Sequence, residues 1–299
     1  MSSDSTTAWY RRPAFWLRSL LGVVVIVSIV LGSILGWLKL HESELVFHTA
    51  ESHQRTGGQL PADAERLSIA DPDGEQLAAL MLRADAAHDS GFWVLHLHGN
   101  ADSAFSTNQL EHSGRLRELG LNVLVFDYRG FGLSPGVASE PHIEEDAEAA
   151  YQELIRRSVP PQKIIIWGHS LGSGPAVFLA SRHPVAALVL FGAFTSVPDV
   201  AQDTYRNLPV RWLTGVHFNS IALIAQVHAP VLIAHSSADT IILFHHGKQL
   251  FAAANEPKRF FELAAPYSDN FGGHVNALYD QLQVIAPTLA AMTGAQLAD

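Results

Sequence analysis

The stretch Lys163-Ile164-Ile165-Ile166-Trp167-Gly168-His169-Ser170-Leu171-Gly172-Ser173-Gly174-Pro175-Ala176-Val177-Phe178-Leu179-Ala180 decides the fold. Lys163–Trp167 is a β-branched run of strand character and Ala176–Ala180 favours a helix; between them stands one serine with glycine two residues before and two after it. A strand, a sharp turn at serine and a helix make a nucleophile elbow, whose turn strains the serine backbone and leaves no room for bulk at the two flanking positions. Pro175 falls just after the first helical turn, where N–H groups have few partners in any case. Ser170 is the expected nucleophile, its hydroxyl projecting above a sheet edge. The plainer alternative is a glycine-rich turn that only permits close packing.

A serine hydroxyl needs a base to take its proton and an acid to orient that base. With such an elbow the chain order is serine, acid, histidine. Sixteen histidines are present, so position must select the base. Past the last apolar strand pattern, Lys258–Leu263, only His274 follows, in the turn Gly272-Gly273-His274. His245 and His246 open the preceding helix and read as solvated residues at a helix start. The acid is expected at Asp239, where the run Val231–Ala234 passes into a polar loop at the edge where open α/β sheets bind ligands. Asp199, after the preceding strand, is its rival and reads as a first-turn helix carboxylate.

Two backbone N–H groups must also meet the oxygen that gains charge. One belongs to Leu171, the residue after the nucleophile. The other is expected from Asn100, in the loop His98-Gly99-Asn100-Ala101-Asp102 that follows the strand Phe92–Leu97. His96 and His98, two residues apart, are expected on one side of a buried strand with no acidic or cysteine ligand near in sequence, so no metal is assigned to them. No cofactor is called for by this chemistry.

These residues resemble the α/β-hydrolase family, and within it the membrane-anchored branch of Bem46-like proteins and α/β-hydrolase-domain proteins 13 and 17. The resemblance covers residues 43–290. It is carried by His98-Gly99-Asn100-Ala101, Phe126-Asp127-Tyr128-Arg129-Gly130-Phe131-Gly132-Leu133-Ser134-Pro135-Gly136, the elbow through Ala176, Phe194-Thr195-Ser196 and Gly272-Gly273-His274. It implies the same triad, Ser170, Asp239 and His274, with Asn100 and Leu171 as oxyanion donors. The chain departs from the pattern after Asp239, where Thr240-Ile241-Ile242-Leu243 replaces a nearby proline, and in the long insertion Ala265–Phe271.

Eight apolar runs alternate with helical stretches: Arg66–Ala70, Gln76–Leu82, Phe92–Leu97, Asn122–Asp127, Lys163–Trp167, Ala186–Phe191, Pro230–Ala234 and Lys258–Leu263. The helical stretches are Ser103–Leu119, Pro141–Arg157, Leu171–His183, His245–Ala254 and Val275–Ala291. This predicts an α/β-hydrolase fold, a mostly parallel eight-stranded sheet with helices on both faces, opened by a hairpin across Asp71-Pro72-Asp73-Gly74. Arg129 is expected in a buried structural pairing under the active-site loops. The stretch 199–229 is apolar in Tyr205, Leu208, Trp212, Leu213 and Phe218; it reads either as a small lid, with Tyr205 and Trp212 contacting substrate, or as a crossover packed on the sheet.

The 299 residues are 48% hydrophobic with a net charge of −10, which suits one large core and argues against nucleic acid as a partner. Cysteine is absent, which removes disulfide and thiolate chemistry. Leu20–Leu38 is an uncharged apolar run long enough for a bilayer core; a cleaved signal peptide is the rival reading, against which stand the length of the run and the lack of a clear Ala-x-Ala site after it. Residues 1–19 are thus a cytoplasmic segment, 20–38 a transmembrane anchor and 43–299 the catalytic domain. Arg11, Arg12 and Arg18 lie before the run, against Lys39, Glu42 and Glu44 after it, which places the catalytic domain outside the cytoplasm, in the periplasm, exterior or a lumen. The expected activity is that of a membrane-anchored serine hydrolase cleaving esters or thioesters of acyl chains through an acyl-enzyme, on a small-molecule or lipid substrate. The alternatives are a non-catalytic anchored binding module, or an amidase, peptidase or acyltransferase with the same triad.

Overall fold

The structure is a computed structural model describing residues 13–208, 210–263 and 282–298. The chain divides into two compact units, one ending at Glu42 and the other beginning at Ser43. The first is helix α1 (Pro13–Leu40), of which Trp16–Leu40 is apolar and long enough to cross a membrane. It outruns the apolar stretch at both ends because proline is tolerated in a first helical turn and Arg18 and Lys39 are good helix formers.

Short helix α2 (Glu42–Val46) begins at the last residue of the first unit, and α3 (Thr49–Gln54) follows in the second. Strands β1 (Glu65–Ala70), β2 (Gln76–Leu82), β3 (Trp93–Leu97), β4 (Asn122–Phe126), β5 (Ile164–His169), β6 (Ala187–Phe191), β7 (Val231–Ser236) and β8 (Lys258–Leu263) form one sheet, in the order β1-β2-β4-β3-β5-β6-β7-β8. β2 is antiparallel to both neighbours, and every pairing from β4 through β8 is parallel. Helices α4 (Thr107–Glu118), α5 (Glu140–Arg156), α6 (Ser173–Arg182), α7 (Val197–Thr204), α8 (Ser220–Leu223), α9 (Phe244–Ala253) and α10 (Leu282–Thr293) fill the connections. The central strands β3 to β6 are buried along their whole length, which is why they read as unbroken apolar runs. Alternate side chains feed two core layers: Ile164 and Ile166 join Leu95 and Leu188, while Ile165 and Trp167 join Val94 and Val189.

Register aligns the strand ends that matter. Leu97 pairs with Gly168, His169 with Phe191 and Phe191 with Ala234, so β3, β5, β6 and β7 finish at one edge. β5 runs two residues further than composition indicates because Gly168 and His169 keep pairing with β6. β7 likewise extends to Ser236 against β8. The expected helix from Ser103 starts only at Thr107, where the Ser106 hydroxyl caps it by accepting from Gln109 N–H. The first part of the expected closing helix, before Leu282, lies outside the described residues.

Candidate active site

Ser170 stands where β5 gives way to α6, on a single 3-10 turn, Ser170–Gly172. Its φ is +51°, a left-handed conformation that costs a non-glycine residue about 1–3 kcal/mol. The packing that holds it there also explains the glycines. A Cβ on Gly168 would lie 2.6 Å from Ala176 Cβ and 2.7 Å from Gly172 O, and one on Gly172 would run into the Leu97 carbonyl. Across the edge, a Cβ on Gly99 would come within 3.4 Å of Ser170 Cβ, so the loop after β3 lies directly against the serine. Leu171 follows Ser170 in the same turn, and the turn is tied internally by Ser173 Oγ donating to Ser170 O at 2.7 Å.

The loop carrying Asn100 is held from three sides. Ala101 takes a left-handed φ of +60°. Asp127, at the end of β4, accepts from Ala104 N (2.7 Å), Leu133 N (2.8 Å) and Ser103 Oγ (3.2 Å), stapling the loop after β3 to the loop after β4. Burial pushes the Asp127 carboxyl upward, and nearby His98 and these donors work against that shift. The Tyr128 ring packs tilted against His98, centroids 4.4 Å apart, and its hydroxyl donates to His98 O. The third hold comes from the segment before β1: Asn100 Nδ2 donates to Val46 O (2.7 Å), and Asn100 Oδ1 accepts from His48 N (2.9 Å). Beside it, Ser52 Oγ donates to Asp102 O and accepts from Gly132 N. Sequence reading assigned only the Asn100 backbone; the side-chain grip joins residues some fifty positions apart.

Asp239 lies three residues past β7 on the same edge, two strands from β5. It is buried, and its Oδ1 accepts from the N–H groups of Ile241 and Ile242, both at 2.9 Å. Its other oxygen is 3.4 Å from His235 Nε2, which also contacts Ile242 O at 2.8 Å. The rival Asp199 sits in the first turn of α7 with its carboxylate on Thr195 Oγ1 (2.8 Å), Ser196 Oγ (2.7 Å) and Arg211 (2.8 Å). Burial acts to raise its pKa, but the two hydroxyls and Arg211 outweigh it and hold the carboxyl below its usual range. His274 and the side chain of Trp212 lie outside the described residues.

Two other histidine readings change. His96 and His98 do not share a side: His96 packs near Trp167 and contacts Gln109, in one core layer, whereas His98 packs tilted against Tyr128 and edge-on to Phe131, in the other. The chain turns at Gly99, so strand alternation no longer applies at His98. His246 is not a solvated helix-start residue. It is fully buried, its Nδ1 2.8 Å from Thr195 Oγ1 and its Nε2 facing Asp203 Oδ2 at 3.1 Å without hydrogen-bond alignment. Burial, then neighbouring His245, lowers its pKa. His245 is half-exposed and contacts the same Asp203 oxygen at 2.6 Å, so the pair ties α9 to α7. Arg129 is buried, with Nε on Asp146 (2.7 Å) and its other nitrogens on Asp73 and Glu145 (2.6 Å each), far more engaged than a substrate contact would be.

The stretch after α7 splits. Tyr205, Leu208 and Leu213 are exposed, whereas Val216 and Phe218 belong to the core, with Phe218 against Phe47, Phe194 and Gly174.

A mostly parallel sheet with a left-handed serine at the end of its fifth strand, a glycine loop against it and a buried carboxylate two strands on defines an α/β hydrolase. The family model described as the alpha/beta hydrolase fold matches residues 93–221. An uncharacterized protein of Mycobacterium tuberculosis is 38% identical over 242 residues, covering 80% of this chain and 85% of that protein. The lysophosphatidylserine lipase ABHD12 of Danio rerio is 34% identical over 183 residues, 55% of this chain and 48% of the lipase. Human alpha/beta hydrolase domain-containing protein 17B is 32% identical over 186 residues, 62% of each chain. Among solved structures, the Pyrococcus furiosus esterase Pf2001 superposes with a TM-score of 0.62 at 18% identity, over 80% of this chain and 97% of the esterase. The chain belongs to the α/β-hydrolase family, in the Bem46-like branch with these ABHD relatives.

Proposed function

We propose that the protein is a membrane-anchored serine hydrolase that cleaves carboxylic esters or thioesters of acyl chains. The observation that carries this reading is the left-handed Ser170 at the sheet edge shared with the Gly99–Asn100 loop and Asp239. In this mechanism Ser170 attacks the acyl carbonyl while His274 takes its proton, and the N–H groups of Asn100 and Leu171 hold the oxyanion. Asp239 fixes the histidine tautomer. His274 then protonates the leaving group, and water, activated by the same histidine, releases the acid from the acyl-enzyme. The esterase and lipase relatives support an acyl substrate.

In the lid reading, exposed Tyr205 and, further along the sequence, Trp212 are the residues that would meet the acyl chain. A buried methylene contributes about 0.8 kcal/mol, or roughly fourfold in kcat/KM. A p-nitrophenyl ester series is therefore expected to favour medium and long acyl chains over acetyl, with the preference flattened by Trp212→Ala. Preference for acetyl, unchanged by that substitution, would leave only a small pocket.

The Asn100 side chain positions the loop that supplies one oxyanion donor. Asn100→Ala is expected to lower kcat about tenfold or more while KM moves little, because the lost donor geometry acts in the transition state. An unchanged kcat would show that the grip on residues 46–48 does not set the loop.

The cytoplasmic placement of the arginine-bearing end puts the catalytic unit on the other side of the membrane. A tag after Asp299 is expected to be cut by protease added to intact cells or spheroplasts. Protection of the tag with the protein still in the membrane fraction would reverse the orientation.

A further inference from the structure

Within the catalytic unit, few large apolar side chains are exposed, and their placement is uneven. Of the eight described there, six lie in three loops: Leu133 (48%) and Val137 (66%) in the loop after β4, Tyr205 (55%), Leu208 (56%) and Leu213 (42%) after α7, and Ile241 (43%) after β7; the other two are Leu45 (52%) in α2 and Val284 (58%) in α10. All three loops leave the carboxyl end of a parallel strand. The excursion holding the middle three also returns to that edge, since Val197 N donates to His217 O and Ile221 N to Thr195 O. The strand order puts β3 and β5 between β4 and β6, so these side chains flank Ser170 on both sides. A soluble surface rarely gathers its exposed apolar residues at one rim unless something covers it.

What covers it is indicated by the path of the chain. Ser43, the first residue of the unit, donates its hydroxyl to Ala138 O at 2.7 Å, next to the most exposed rim residue, Val137. Phe47 is buried against Phe131 and Phe218. The chain thus enters the unit at this rim, and in sequence Ser43 follows Leu40, the last residue of the apolar helix, by three positions. The stretch Tyr205–Leu213 adds the cations Arg206 and Arg211, the second paired with Asp199, and contains no acidic residue of its own, in a chain of net charge −10. Apolar, aromatic and cationic groups together match the headgroup region of a phospholipid bilayer.

We propose that this rim is a bilayer-docking surface, its apolar side chains seated among lipid headgroups so that the Ser170 edge opens toward the membrane. An acyl lipid then reaches the edge without crossing water.

The absence of cysteine makes the test direct. Single cysteines at Val137, Leu208 or Ile241 in the full chain, and at exposed Ala86 before β3 on the opposite edge, carry a polarity-sensitive fluorophore. The labelled proteins are reconstituted in phosphatidylcholine vesicles containing phosphatidylglycerol and doxyl-labelled lipid. The three rim labels are expected to shift to the blue and be quenched, and the Ala86→Cys label to do neither. Rim labels that stay in water, or shift without quenching because a second protein copy covers them, would overturn the proposal. This readout needs no turnover, so it stands or fails apart from the esterase reading on which the lipid-access step rests. As a second measure, the double variant Leu133→Glu, Val137→Glu is expected to lose about tenfold or more of its activity on a long-chain lysophospholipid in vesicles, with p-nitrophenyl acetate hydrolysis within about twofold of wild type. Equal loss on both substrates, or on neither, would contradict docking through this rim.

Discussion

Ser170→Ala is expected to abolish labelling by a fluorophosphonate probe and to lower ester turnover by on the order of 10⁴-fold or more. The size of the effect follows from the local geometry. The left-handed backbone at Ser170 and the close approach of Gly168, Gly172 and Gly99 present one hydroxyl at the sheet edge. Ser173 does not replace it, because its hydroxyl is already spent on Ser170 O. Equal labelling of wild type and variant would remove Ser170 from the chemistry and leave the elbow as a packing turn.

Asp239→Asn is expected to cost turnover about 10⁴-fold, because an amide of the same shape permits the wrong imidazole tautomer, while Asp199→Asn costs less than about tenfold. The two carboxylates differ in what they already hold. Asp199 is committed to Thr195, Ser196 and Arg211 and acts within the first turn of α7, so its replacement weakens a cap. Asp239 has one oxygen fixed by the Ile241 and Ile242 N–H groups at a buried position on the Ser170 edge, which orients the carboxylate. Steady-state kinetics on a short soluble ester, with circular dichroism to check folding, separates the two. The reverse ranking would move the acid to the loop after β6.

The elbow was legible because its cause is local: serine and glycine within five residues, framed by an unbroken apolar strand and a helix. The parallel sheet was legible for a similar reason, since strands covered on both faces have no polar alternation to blur them. Sequence reading failed where distant elements decide the environment. His246 occupies a helix start, a position that ordinarily faces water, and only the return of Thr195 and Asp203 against α9 buries it. His98 was placed by strand periodicity one residue past the point where the strand stops. The hold of Asn100 on residues 46–48 leaves no local trace either, because a backbone carbonyl and a backbone N–H accept any partner of the right reach. Asp127 lay within a quoted motif, but its part in joining two loops emerges only from their approach in space.

In the proposed reaction the acyl group passes through Ser170, and rapid-quench mass spectrometry of the protein with a long-chain acyl ester reads that step directly. Trypsin cuts after Lys163 and Arg182, releasing Ile164–Arg182 with Ser170, Ser173 and Ser181 inside it. The predicted result is a transient gain of the acyl mass on this peptide, placed by fragmentation on Ser170 and absent from Ser170→Ala. Turnover that proceeds with no acyl adduct at any time point, or with the acyl group on another residue, would contradict it.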